Sequence, residues 1–264
     1  MALPTISLLI QGPFSENYLK NINKIINKFN FDQIIWVCTG THVKSVQYSS
    51  LIVYYVDDPG SIDVKDPPHF ANTNRMLRTT QHIFLLNRCD RFIKIRSDLK
   101  VNNFVNFNNF YNLCLSTENK FIFASKKNHD WDLPFNMSDW VFGGTMNISR
   151  LYADKISLIP NSLGISYTKL LNDYVWGYKK KHFSPQFTTE QILGFQIFNN
   201  AEFNNSWSTF VKWKNLRKDF IIIDISDAGL YCDKHKKEKS INILKRFFPY
   251  FLYNILLNCL RKLV

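Results

Sequence analysis

The chain lacks most of the short signatures that announce a cofactor fold. It contains no GxGxxG and no GxxxxGK[ST], which counts against dinucleotide oxidoreductases and P-loop NTPases. It has no GxSxG elbow, which counts against a serine hydrolase. Its five cysteines (Cys38, Cys89, Cys114, Cys232 and Cys259) are scattered, odd in number and contain no CxxC pair. A zinc knuckle is therefore not expected, and a reducing compartment fits this usage best. No stretch of about 18 apolar residues is available to span a bilayer. The opening MALPTISLLIQGP has no basic n-region, and its apolar run stops at Gln11. It reads as a strand, not a signal peptide.

What is present argues for a folded globule. Of 264 residues, 45% are hydrophobic and 16% aromatic, enough for one large domain with a full core. The net charge of +12 is uneven. From Tyr231 onward, eight Lys/Arg stand against Asp233 and Glu238, so half of the excess lies in the last 34 residues. That tail carries FFPYFLYNILLNCL, Phe247 to Leu260, between Lys245-Arg246 and Arg261-Lys262. The segment suits a helix lying in a membrane interface beside anionic headgroups. A helix that closes the core is the competing reading. The expected division is a domain over residues 1–230 and a basic tail over 231–264.

Periodicity predicts an α/β sheet. Apolar strands are expected at Ile6–Phe14, Gln33–Thr39, Ser50–Val56, Lys120–Ala124 and Phe220–Ile225. Helices are expected over Glu16–Phe29 with Ser15 as N-cap, Asn72–Leu86, Phe104–Thr117, Ser149–Ile159 and Thr188–Phe198. The stretch Asn128–Thr145 reads as a polar and aromatic loop ending in a glycine pair.

The segment RFIKIRSDLK, Arg91 to Lys100, carries the most chemistry. Ile93, Ile95 and Ser97 alternate with Lys94, Arg96 and Asp98, which predicts a strand with one packed face and one charged face. Open α/β sheets bind ligands outside the carboxyl ends of their strands. An edge strand with a solvated face is the plain alternative. Arg75 and Arg78, on one side of the preceding helix, would join Lys94 and Arg96 in meeting a diphosphate, where Arg binds bidentately. Asp98 would hold Mg²⁺ or Mn²⁺ bridging that diphosphate. Gln11-Gly12-Pro13 would let the backbone approach a nucleotide closely. Asp139, between Ser138 and Trp140, and Glu190, in a helix first turn, are equal candidates for the general base toward an acceptor hydroxyl.

ISLLIQGP, NTNRMLRTT, KIRSDL and MSDWVFGGT, in that order, resemble the WavE-type lipopolysaccharide-synthesis family. TTEQ takes the place of that family's Pro-Glu-Gln, with Thr189 where the family has Pro. The likeness runs from about Ile6 to Phe198. Members are regarded as glycosyltransferases of bacterial surface polysaccharides. The resemblance implies a GT-A-like nucleotide-diphospho-sugar transferase fold, with a mixed central sheet flanked by helices. It adds Asn74 and Ser97 to the donor-binding set. In such folds an Asp-x-Asp at a strand end binds the metal. Here Arg96-Ser97-Asp98 keeps only the second acid, which puts metal dependence in question. The expected activity is sugar transfer from a nucleotide-sugar to a lipid-linked or growing surface polysaccharide (lipopolysaccharide, O-antigen or capsule). It would take place in the cytoplasm, peripherally on the inner membrane, without a nucleic-acid partner. A sugar nucleotidyltransferase is the first alternative, although GPFSENY is poor in the cations a triphosphate needs. A non-enzymatic basic module binding membranes or nucleic acid is the second.

Overall fold

A computed structural model describes residues 3–60, 72–125, 140–145, 153–158, 193–194, 196–197, 215–216 and 220–232. The strand β1 (Ile6–Gln11) is buried along its whole length and forms the middle of a sheet. It pairs in parallel with β2 (Gln33–Gly40) on one side and β5 (Arg91–Arg96) on the other. Outside β2 lies β4 (Leu51–Asp57), also parallel, edged by the antiparallel β3 (Lys44–Tyr48). Outside β5 the sheet turns mixed. The strand β8 (Val141–Thr145) runs antiparallel between β5 and β7 (Phe121–Ser125), and β9 (Phe220–Asp224) pairs in parallel with β7. The order is β3-β4-β2-β1-β5-β8-β7-β9 among the described residues. A separate pair joins β6 (Lys100–Val101) to β10 (Leu230–Tyr231).

Helices cover both faces, as the alternation of β1 and β2 requires. Leu8, Ile10, Trp36, Ile93 and Ile95 face one core, with Ile22 and Ile25 of α1 (Glu16–Ile26) and Phe107, Phe110 and Cys114 of α3 (Phe104–Ser116). Leu9, Ile35, Val37 and Phe92 face the other, with Met76, Leu77, Ile83 and Phe84 of α2 (Thr73–Leu86). Ser15 caps α1 by accepting from the Tyr18 amide at 3.3 Å. Asn103 caps α3 by accepting from the Val105 and Asn106 amides at 2.9 and 3.2 Å. This is the α/β sheet that periodicity predicts, and the mixed central sheet flanked by helices that the family resemblance implies.

Three differences have physical causes. First, β5 has no solvated face. Its neighbours β1 and β8 make it a central strand, and α2 covers the side that carries Lys94. That residue is 0% exposed, with Nζ 4.9 Å from the centre of the Phe142 ring. Both the charged-face reading and the edge-strand alternative are corrected here. Second, the glycine pair before Thr145, read as the end of a loop, lies in the strand β8. A Cβ on Gly143 would lie 2.5 Å from Cys114 Sγ and 2.9 Å from the Phe92 carbonyl. Glycine is what lets β8 slide in beside β5 under α3. Phe142 then lies among Phe84, Phe92, Phe121 and Phe123, with ring centres 5.9, 6.0, 6.3 and 6.2 Å away. Each such edge or tilted pair adds about 0.5–1.5 kcal/mol beyond its area. Third, Tyr231 and Cys232, read as the start of the tail, belong to the folded part: Tyr231 pairs with Lys100, and Cys232 is buried. Residues 233–264, with the basic apolar segment, lie outside the described residues.

Candidate functional site

The connections place one crevice. The chain passes from β1 through α1 to β2 and on to β4 on one flank, then crosses back through α2 to β5 on the other. Crossovers in opposite directions put α1 and α2 on opposite faces and part the loops between β1 and β5. The carboxyl ends that meet there are Gln11-Gly12-Pro13 and Arg96-Ser97-Asp98, since Gln11 is in register with Arg96.

Each residue there is held by a specific contact. The Gln11 side chain is 4% exposed and turns toward α2, where Nε2 donates to Met76 O at 3.0 Å, Thr79 Oγ1 at 2.7 Å and Thr80 Oγ1 at 2.8 Å. It fastens α2 to β1. Its Oε1 is buried and has no partner among the described residues. Gly12 has φ +121°, and a Cβ there would lie 2.6 Å from Ser97 Oγ. Its amide donates to Val37 O at 3.2 Å, and its carbonyl accepts from Trp36 Nε1 at 2.8 Å. The expected close approach of backbone is real, but Ser97 occupies it. Ser97 itself is buried and donates its amide to Gln11 O at 2.8 Å.

Arg96 ends β5, and its amide donates to Trp140 O at 2.9 Å. The guanidinium lies 5.7 Å from the centre of the Trp140 ring. It forks onto Asp98, Nε to Oδ1 at 3.0 Å and Nη2 to Oδ2 at 2.7 Å. Cys232 Sγ lies 3.9 Å from the same Oδ2. The Asp98 turn is clasped from outside as well, because Gly229 O accepts from the Asn102 amide at 2.9 Å.

Arg75 and Arg78 do not join this group. Arg75 Nε meets Asp58 at 2.8 and 3.0 Å, and Nη2 adds a contact at 2.9 Å. Arg78 Nη2 meets Asp57 Oδ2 at 2.6 Å. Asp57 ends β4 and Asp58 follows it, three strand spacings from β5, or about 14 Å along the same edge. The hydrogen bond from Arg78 lowers the pKa of Asp57, and the one from Arg75 lowers that of Asp58. The predicted single cluster is thus split in two, with each guanidinium matched by its own carboxylate. Asn74 is buried in the first turn of α2. Asp139 and Glu190 lie outside the described residues. The sequence reading missed Asp57 and Asp58 as arginine partners, although two acids at a strand's carboxyl end were a usable signal. It also missed the Gln11 fastener, for which a lone Gln closing an apolar strand gives little warning.

The expected cation does not suit this donor set. Both Asp98 oxygens are engaged by Arg96, and Mg²⁺ usually needs one or two carboxylates given over to it. Among the described residues no three His, Cys, Asp or Glu side chains converge as a metal-holding group. No described helix is long and apolar enough to cross a membrane.

No protein-family model matches the chain, and no curated protein does. Solved structures of similar shape include 4-diphosphocytidyl-2C-methyl-D-erythritol synthase from Anaerococcus prevotii, at 10% identity and a TM-score of 0.35, over 63% of this chain and 83% of that one. They also include a glycosyltransferase involved in glycosylation of the major capsid of PBCV-1, at 14% identity and a TM-score of 0.37, over 84% of this chain and 82% of that one. Neither of these two is described as a lipopolysaccharide-synthesis protein.

Proposed function

We propose that this chain is a GT-A-like glycosyltransferase that moves a sugar from a nucleotide-sugar to a lipid-linked or growing surface polysaccharide, such as lipopolysaccharide, O-antigen or capsule. The observation that carries the reading is the crevice between β1 and β5. It lies at the point where the strand order reverses, where open α/β sheets receive nucleotides. It presents a partly exposed arginine beside an indole ring, a group suited to a diphosphate. The ordered motifs that resemble the WavE-type family supply the sugar-transfer chemistry and the polysaccharide acceptor.

In this reading the donor diphosphate lies against Arg96. The Arg75–Asp58 and Arg78–Asp57 pairs brace the start of α2 against β4 and shape the far end of the same edge. Asp139 or Glu190 takes the proton of the acceptor hydroxyl. The basic apolar tail keeps the protein at the cytoplasmic face of the inner membrane, beside its acceptor.

The test is a calorimetric screen of the full chain against a panel of nucleotide-sugars, with and without Mn²⁺ or Mg²⁺. Positive donors are then incubated with membrane extract, and release of the nucleoside diphosphate is measured. Binding of a donor with sugar-dependent release is expected. A protein that binds none of them, or that instead makes pyrophosphate from a nucleoside triphosphate and a sugar phosphate, overturns the proposal.

A further inference from the structure

The geometry points to Arg96 and Asp98 as an exchange latch: Asp98 holds the Arg96 guanidinium in place until the donor diphosphate takes it over, so that Arg96 supplies the positive charge a bridging cation would otherwise bring. This rests on the nucleotide-sugar reading above. Where a metal-binding triplet offers two acids, this chain offers one acid and one arginine, and the arginine closes on the acid in a two-point fork of 3.0 and 2.7 Å. A carboxylate and a phosphate present the same paired oxygens to a guanidinium, so one can replace the other without reorganising the fork. The side chains are 27% and 12% exposed, so the fork sits at the crevice mouth and not in the core. Trp140 beneath the guanidinium and the Arg96–Trp140 backbone bond hold the arginine while its partner changes. No covalent bond is made or broken.

The latch predicts a reversal of sign that a metal site does not. Calorimetric titration of inorganic pyrophosphate and of nucleoside diphosphates in EDTA would compare the wild type with Asp98→Asn, Arg96→Gln and the double variant. Asp98→Asn is expected to bind pyrophosphate more tightly, by up to about tenfold, because its carboxylate no longer competes for Arg96. Arg96→Gln is expected to weaken binding by about tenfold or more. The double variant is expected to bind no more tightly than Arg96→Gln, since no guanidinium remains to be released. Circular dichroism checks folding, and Asp98→Ser is titrated instead if the Asn variant does not fold. Equal or weaker binding by Asp98→Asn overturns the latch. So does an equal gain in the double variant, which would mark simple charge repulsion. So does a Mg²⁺-dependent affinity that Asp98→Asn abolishes, which would make Asp98 a cation ligand. A wild type that binds neither pyrophosphate nor any nucleoside diphosphate overturns the transferase reading as well. One that binds them with no gain in Asp98→Asn overturns the latch alone.

Discussion

Replacing Gly12 by alanine tests how the crevice is built. Gly12 has φ +121°, a region that L side chains rarely enter, and such a conformation costs about 1–3 kcal/mol. The new methyl would also lie 2.6 Å from Ser97 Oγ, while Ser97 Cβ and its amide nitrogen stay at 3.5 and 3.8 Å, ordinary contact. The steric share is thus confined to one hydroxyl. Overpacking of that kind costs about 1–3 kcal/mol, less if the hydroxyl rotates away. Gly12→Ala should therefore lose about 2–4 kcal/mol in urea unfolding at an unchanged m-value. Gly12→Ala with Ser97→Ala should recover about 1 kcal/mol and keep the backbone share. Tryptophan fluorescence suits the measurement, because the Trp36 indole bonds the Gly12 carbonyl at 2.8 Å. A loss below about 0.5 kcal/mol, the usual scatter of neutral surface changes, would refute the argument. So would a double variant that recovers nothing.

Two further outcomes follow from the charges. Asp57 and Asp58 have pKa values held below the ordinary 3.8 by the hydrogen bonds from Arg78 and Arg75. A depressed carboxylate pKa contributes stability that is complete above the ordinary value and fades as pH falls through the lowered one. Both pairs face solvent, so their share is modest. The Asp57→Asn/Asp58→Asn variant should be less stable than wild type near about pH 6 and indistinguishable in strong acid. Urea midpoints that stay apart by the same amount down to about pH 2.5 would contradict this. Burial pushes the Cys38 thiol up to about 11 and raises Cys114 further, so neither should react with a thiol reagent at neutral pH until denaturant is added. Rapid native labelling of either, located by peptide mapping, would count against the packing around α3 and β2.

Much of the frame was legible from local pattern. Strands such as β1, β2 and β4 are short apolar runs closed by glycine or acids, and α1 has a serine cap before a helical repeat of apolar residues. The strands β3, β6, β8 and β10 escaped, and for the two in the main sheet the signals are weak or misleading. KSVQY, which forms β3, is polar and mostly exposed at the sheet edge. VFGGT, which forms β8, carries a glycine pair that reads as the end of a loop until the Cys114 side chain and the Phe92 carbonyl are seen pressing on Gly143. At the site, Gln11, Arg96 and Asp98 were named from strand-end chemistry and Ser97 from the family likeness, and the register of β1 with β5 brings these strand ends together. Arg75 and Arg78 were named too, but their partners are set by the adjacency of α2 and β4, which helical spacing does not encode, and they stand apart from Arg96.

By itself the sequence determined the α/β character, the capped helices and the concentration of arginine and aspartate at strand ends, because these depend on neighbours within a few positions. The tertiary structure alone decided which charges meet. It matched Arg75, Arg78 and Arg96 each to its own aspartate and buried Lys94 over Phe142 by inserting β8 beside β5. A period-2 pattern says which residues share a face. Whether that face meets water or another layer is decided by what packs against it.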